Sequence, residues 1–438
     1  MTAEMHLPVS STSQKRGVPL HTKILIALVF GASLGVFVNW ITQGEIPAWL
    51  DSLIKYGLEP IGQIFLRMLF LTVIPLVFSS LALGVAQLGG GRDLGRIGLK
   101  TFAFFLITMS LAVMLGLFLV NTVKPGSGLN EEVRTSLQEK YQEKASTSAK
   151  PATSFGIETL TNIVPRNPLK AMVEMDMLAV ICFALFIGLA LTRIQPEHAS
   201  IIQRVLEGIN DLMIVIIGWA MRLAPYGVFA LIFSITARFG YSLLQLLGWY
   251  VAVVLIGLAI QMFVVMPILL VVLARYSPMK FFRKAQPIMI TAFSTSSSSA
   301  TLPTSIKTAE EEMGVPSSIA GFVLPLGATM NMNGTALFEG VTVVFLAQVF
   351  GVDLSIGNQL IVVILSVLTA VGAAGVPGGS LPLLALVLNT VNVPSEGIAI
   401  ILGVDRILDM CRTTLNATAD VVAALFIARS EGMMQDEK

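Results

Sequence analysis

Apolar side chains run along this chain in blocks as long as a bilayer is thick. A first block covers residues 24–41 and a second 57–86, the latter interrupted by Glu59, Pro60, Arg67 and Pro75. A third covers 101–123. Further blocks lie near 171–193, 205–235 and 242–274, and the fifth is expected to bend at ProTyrGly, 225–227. About twenty apolar residues in helical form cross a hydrocarbon core, so each block predicts a membrane span. Residues 124–170 interrupt the series with polar, low-complexity sequence and read as an external loop.

Beyond 275 the pattern changes. Residues 285–306 are apolar, then serine-rich, then ProThrSerIle, too interrupted for one clean span. Residues 317–350 are broken at 330–335 by MetAsnMetAsnGlyThr. Residues 359–393 are broken at 373–380 by AlaAlaGlyValProGlyGlySer. Two broken segments, each followed by a span with polar residues, predict one unit used twice, the arrangement of an inverted-repeat transporter with a site at mid-membrane. Irregular backbone at that depth survives only where protein or a watery cavity surrounds it.

The last block, 398–428, holds the sequence DRILDMCRTTLNATAD at 405–420. Its polar residues Asp405, Asp409, Arg412, Asn416 and Asp420 recur every three or four positions. At about 100° per residue they fall within an arc of roughly 80° on one helix face. A charged residue costs about 2.5–3.5 kcal/mol at the bilayer centre, so this face must meet partners or a cavity. One reading is a structural ion-pair ladder, with Asp409 and Arg412 as partners. That reading leaves Asp420 with no basic residue within a turn. The other is a binding site.

Composition supports a membrane protein. The 438 residues are 55% hydrophobic and only 13% charged, with a mean hydropathy of +0.80, against about 25% charged in soluble domains. A net charge of +1 gives no reason to expect nucleic acid as a partner. Cys182 and Cys411 sit in apolar segments and read as packing residues. No cleavable signal peptide is expected. Lys15, Arg16 and Lys23 before the first span, Arg92, Arg96 and Lys100, and Arg275, Lys280, Arg283 and Lys284 place those ends in the cytoplasm.

Four stretches carry candidate chemistry. SerThrSerSerSerSerAlaThrLeuPro, 294–303, is either a flexible linker or a hairpin tip whose hydroxyls and free amides suit a carboxylate. Asn331 to Thr335 breaks a span and exposes carbonyl oxygens that suit Na⁺ or K⁺; alternatively it is a packing kink. Glu339 lies a turn beyond. An uncharged glutamic acid is cheaper in a membrane than a glutamate, which makes Glu339 a proton-carrying candidate; the alternative is an ion pair, with Arg406 as the partner. Gly375 to Ser380 reads as a gate or as a simple re-entrant turn. An intramembrane serine hydrolase would need a base, yet His6, His21 and His198 all lie outside the spans or at their ends. The mixed signs on the last helix also fit a zwitterion site better than an open ion channel. An enzyme is not expected, nor a cofactor.

STSSSSATLP, NMNGTALFEG, GVPGGS and DRILDMCRTTLNATAD, in this order, resemble the glutamate transporter homologues, the dicarboxylate/amino acid:cation symporters. LeuThrValIleProLeuValPhe at 71–78 and LysProGlySerGly at 124–128 match as well. The resemblance covers nearly the whole chain. It implies an all-α polytopic membrane protein with eight transmembrane helices, two re-entrant helical hairpins and inverted repeats, working as an elevator-type transporter. It implies a homotrimer in the cell inner (plasma) membrane, with both termini cytoplasmic. The scaffold would comprise 1–98 and 171–240. The transport domain would comprise 99–123 and 241–430. Residues 124–170 would be the external loop and 431–438 the cytoplasmic tail.

The resemblance also implies roles. The function would be cation-coupled import of an acidic amino acid, L-glutamate or L-aspartate, with C4-dicarboxylates or neutral amino acids as the alternative. Asp409 would take the substrate amino group and Arg412 its side-chain carboxylate. Thr413, Asn416, Thr335 and Gly378 would add contacts, and Ser297, Ser298 and Ser299 would receive the main carboxylate. Asp420 with Gly327, Asn331 and Asn416 would hold Na⁺, and Asp405 shares that polar face. Residues 376–380 would be the extracellular gate. Glu339 matches the proton-carrying glutamate of animal members. Three departures matter. Asn333 stands where sodium-driven archaeal members have an aspartate, and Met109, beside Thr108, where they have a serine. Both changes fall on the family's third sodium site. An arginine that the family places at Ser296 or Met410 is absent, and Arg406 is the substitute. The expected coupling is therefore mixed or proton-weighted.

Overall fold

The computed structural model describes residues 20–43, 45–87, 92–128, 135, 164–174, 177–373 and 375–434. The expectations for the basic N-terminal segment, for most of the loop at 124–170 and for residues 435–438 lie outside the described residues. Every regular element described is a helix, and no strand occurs among the described residues. Among the described residues six helices are long and apolar enough to cross a membrane: Thr22–Ile41, Ala48–Ala86, Arg96–Val123, Pro196–Arg238, Leu244–Ala274 and Ser317–Phe350. The helix Ile398–Ser430, 33 residues long, is longer than three of these. Its Asp and Arg residues, not its length, keep it out of that set.

Several expected spans are refined. The second begins earlier, at Ala48, and its helices Glu59–Phe70 and Val73–Gln87 are separated at Leu71 and Thr72. Pro75 has no N–H for the Leu71 carbonyl, and its ring crowds that carbonyl, so the helix restarts there. At ProTyrGly, 225–227, where a bend is expected, Pro196–Phe239 continues through Pro225 as one helix. A single missing hydrogen bond is tolerated where neighbouring helices pack on both sides. The fourth span comprises Pro168–Val173 and Met177–Leu191.

The chain after 275 has the expected double pattern. Helices Pro278–Thr295 and Ser298–Lys307 form a first hairpin, and the span after it is broken between Met330 and Asn333. Helices Ile356–Val371 and Leu381–Thr390 form a second hairpin, followed by Ile398–Ser430. This last helix is buried along most of its length. Both hairpins and the broken span gather around it, which sets the place of the site.

Close backbone approach joins Leu20–Ile41 to Pro196–Phe239. Gly31 and Gly35, one turn apart, face that helix: a Cβ at Gly35 would lie 2.0 Å from Thr236 Oγ1 and 3.0 Å from the Phe233 carbonyl oxygen. Small residues at this spacing let two membrane helices touch along their backbones. At the other edge, Glu431 just past the last helix accepts from Arg96 at 2.5 Å and from Lys100. Lys100, with Arg96, holds the Glu431 carboxyl below the ordinary carboxylate range. A depressed value means that this tie is present at neutral pH and is lost as the pH falls through the acid range.

Gly35→Val is expected to lower stability by about 1–3 kcal/mol, as overpacking does. A thermal unfolding scan of the purified variant in detergent checks it. An unchanged midpoint would mean that the two helices do not meet at Gly35.

Candidate functional site

The site lies where three backbone irregularities, the two hairpin tips and the break in the span between them, meet the polar face of the last helix. At the first hairpin tip, Ser296 takes a left-handed conformation, φ +50°, which ends one arm. Ser297 then caps the next: its Oγ accepts from the Ala300 N–H at 3.1 Å, the common start of a helix. The same hydroxyl donates to the Gly375 carbonyl in the second hairpin tip at 2.7 Å. The Ser299 N–H donates to that carbonyl at 3.2 Å. The two tips are therefore bonded to each other directly. Gly378, at φ +76°, turns its N–H toward Asp409 Oδ2 at 3.3 Å, which docks the second tip on the last helix.

Between the tips and the last helix is a cavity of about 10 Å³, close to the smallest space that admits one water. Ser298, Thr335, Asp409, Thr413 and Asn416 line it, as expected. Ser296, Met332, Ala373, Gly375, Val376 and Ser380 complete the wall. Met332 has no polar signal in the sequence; only the unwound position between two helices brings it there. Ser296 Oγ and Ser380 Oγ are buried without a hydrogen-bond partner, two free hydroxyls at the cavity. Arg412, Ser297, Ser299 and Gly378 are beside the cavity rather than on its wall. Ser297 and Gly378 spend their polar groups on the tip contacts given above.

Arg412 is 1% exposed. Its Nη2 donates to Asp409 Oδ1 at 2.9 Å and to Asp405 Oδ1 at 3.0 Å. Its guanidinium lies 3.8 Å over the Phe338 ring, a favourable place for a cation. Arg406 Nη1 donates to Asp409 Oδ2 at 3.3 Å. Two carboxylates thus balance two guanidiniums in one buried cluster, which removes most of the cost of leaving charge in a membrane. The expected Asp409–Arg412 pair is present. The alternative pairing of Glu339 with Arg406 is not: Arg406 is on Asp409, and Glu339 Oε2 lies 2.6 Å from Thr369 Oγ1. Nε and Nη1 of Arg412 have no partner and are the donors left over for an anion.

The ion-site candidates form a second group. Asn331 Nδ2 donates to Asp420 Oδ1 at 3.0 Å, and Asn333 Nδ2 donates to Asn331 Oδ1 at 2.8 Å. Gly327 is so close to the carboxylate that a Cβ there would lie 2.6 Å from Asp420 Oδ1. Asn416 fixes the second half of the broken span. Its Oδ1 accepts from the Gly334 N–H at 2.7 Å and its Nδ2 donates to Thr335 Oγ1 at 3.2 Å. Asp420 has no cation beside it among the described ion pairs, as the sequence implies. Its carboxylate and the oxygens around it are hard donors of the kind that Na⁺ takes. Asn333 Oδ1 has no partner.

The model of the sodium:dicarboxylate symporter family matches residues 20–430. The chain belongs to that family. This makes it a multi-pass membrane protein of a transporter family. It is 38% identical to the "Proton/sodium-glutamate symport protein" of Bacillus subtilis (strain 168), over 96% of this chain and 94% of that protein. It is 37% identical to the "Proton/glutamate-aspartate symporter" of Escherichia coli (strain K12), over 95% and 94%. It is 34% identical to the "Proton/sodium-glutamate symport protein" of Geobacillus stearothermophilus, over 97% of each chain.

Ser297→Ala removes a helix cap and a bond between the tips, worth about 1 kcal/mol each. Hydrogen exchange at 297–301 and 375–380 is expected to accelerate roughly tenfold. Unchanged exchange would show that the tips close without this hydroxyl.

Proposed function

We propose that this chain is a secondary active symporter that imports acidic amino acids, L-glutamate or L-aspartate, with H⁺ and Na⁺ as candidate coupling ions. The observation that carries this reading is the pairing of Asp409, on the wall of the small cavity and an anion for an amino group, with Arg412 just behind it, whose planar fork suits a carboxylate. The names of the relatives support the same substrate class. A plain dicarboxylate has no amino group for Asp409 and a neutral amino acid no second carboxylate for Arg412, so these two classes are the alternative substrates.

The proposed roles follow the geometry. Asp409 takes the amino group and Arg412 the side-chain carboxylate, once a substrate replaces part of its bonding to Asp405 and Asp409. Ser297, Ser298 and Ser299 at the first tip receive the main carboxylate. Thr335, Gly378, Thr413 and Asn416 complete the site. A cavity of about 10 Å³ is too small for an amino acid, so a tip must move, and the residues 376–380 are the gate. Gly327, Asn331, Asn416 and Asp420 are the proposed Na⁺ ligands. Eight membrane helices with two hairpins, cytoplasmic termini and a homotrimer complete the reading. The transport domain, 99–123 and 241–430, moves as an elevator against the scaffold, 1–98 and 171–240.

Proton-weighted coupling has two supports. Asn333 offers an amide where a carboxylate would hold a cation, and its Nδ2 is already given to Asn331. Glu339 is fully buried with no basic partner, and a neutral acid suits such a place better than an anion.

Uptake of labelled L-aspartate into proteoliposomes, under a Na⁺ gradient or an inward H⁺ gradient, separates these possibilities. Uptake driven by H⁺ alone is expected. Uptake that needs Na⁺ and ignores pH would remove the proton-carrying role of Glu339. No uptake under either gradient, with uptake of succinate, would favour the dicarboxylate reading. Arg412→Lys is expected to weaken aspartate binding by about 1.5–3 kcal/mol, more than tenfold, because a lysine cannot form the two-pronged contact. Calorimetric titration of the purified variant checks it.

A further inference from the structure

The proton proposed on Glu339 has a neighbour that no part of the mechanism above uses. Thr369 lies in the first arm of the second hairpin, one turn before its tip. Both Thr369 and Glu339 are fully buried. Thr369 Oγ1 lies 2.6 Å from Glu339 Oε2 and 2.7 Å from the Leu365 carbonyl oxygen. A hydroxyl has one hydrogen and a carbonyl only accepts. With Thr369 as the sole donor the two acceptors share one hydrogen; both contacts are full two-centre hydrogen bonds when Glu339 supplies the second hydrogen, as a carboxylic acid donating to Thr369. When Glu339 is a carboxylate, it can only accept. The Thr369 hydrogen must then leave Leu365 for Glu339.

The surroundings leave few competitors for this role. No titratable residue lies in Ile356–Val371, in Leu381–Thr390 or between residues 101 and 123, the membrane-depth faces packed on the second half of the broken span. From Tyr241–Ile260, the phenol of Tyr250 bonds the Thr342 hydroxyl at 2.8 Å. From the last helix, Arg412 is the charge felt at Glu339, and its Nη2 is held by Asp405 and Asp409. Glu339 Oε1 has no partner. Thr369 is thus the single hydrogen-bond link from Glu339 to another element among the described contacts, and that element ends in the gate.

We propose that Thr369 is the positioning residue through which the second hairpin responds to the proton on Glu339. With the proton present, acid and hydroxyl bridge the hairpin arm to the broken span while the arm keeps its own bond at Leu365. Without it, the hydroxyl turns and the arm loses that bond a turn before the tip. This inference rests on the proton-carrying reading of Glu339, and the test separates the two.

Full-length protein in proteoliposomes is assayed for labelled L-aspartate uptake with and without an inward proton gradient. Aspartate exchange without a gradient, which needs no net proton movement, serves as the second readout. Thr369→Val, nearly the same shape without the hydroxyl, is expected to retain exchange and to lose about tenfold of the stimulation by the gradient. Thr369→Ser, which keeps the hydroxyl, is expected to retain the stimulation. A purely structural role would reduce exchange and gradient-driven uptake together. Glu339→Gln is the control. Stimulation lost in Glu339→Gln but kept in Thr369→Val overturns the role of Thr369 alone. Stimulation kept in Glu339→Gln overturns the proton-carrying reading itself. Should the valine variant fail to fold, Thr369→Ala is read by the same criteria.

Discussion

Charge without water must find charge, and the last helix is arranged around that constraint. Asp405, Arg406, Asp409 and Arg412 are all buried, and within two turns they pair two carboxylates with two guanidiniums. Separately, each would cost about 2.5–3.5 kcal/mol at mid-membrane. Together they form a cluster that is nearly neutral and can exchange partners. A bound zwitterion with a second carboxylate brings one positive and two negative groups. It can take over part of the pairing at Asp409 and Arg412 without adding uncompensated charge beyond what the unpartnered Nε and Nη1 of Arg412 can meet.

The broken backbone around this helix follows from the same lack of water. Asn331 and Met332 leave helical geometry, which frees polar backbone groups that lipid could not satisfy. The last helix supplies the partners. Asn416 bonds the Gly334 N–H, and Gly334 has no side chain because a Cβ there would lie 2.7 Å from the Arg412 carbonyl oxygen. One helix therefore positions both the charged cluster and the oxygen-rich group near Asp420.

The tips of the hairpins are held by contacts of a different kind. Ser297 and the Ser299 N–H meet one carbonyl, Gly375, and the Gly378 N–H meets Asp409. Each of these bonds contributes about 1 kcal/mol, so the two tips are held together by only a few kcal/mol. In the proposed reading, a substrate carboxylate would compete for the same hydroxyls and amides and so weaken these contacts.

The sequence by itself determined the helical class, the broken segments and the polar face of the last helix. Bilayer-length apolar runs, helix-breaking Gly and Pro, and three-to-four-residue spacing are all local signals. It also marked Ser298, Thr335, Asp409 and Asn416, because polar side chains are rare in such surroundings, and the family resemblance added Thr413. Only the tertiary structure decided who pairs with whom. Asp405 reaches Arg412 across two turns, Arg406 goes to Asp409 rather than Glu339, and Thr369 finds Glu339 thirty residues away in the chain. Met332 enters the cavity wall because the backbone is unwound at Asn331 and Met332. Within the last helix the spacing allows more than one pairing, and packing selects among them; the Thr369–Glu339 contact and the place of Met332 join elements apart in sequence, and no local pattern encodes that packing.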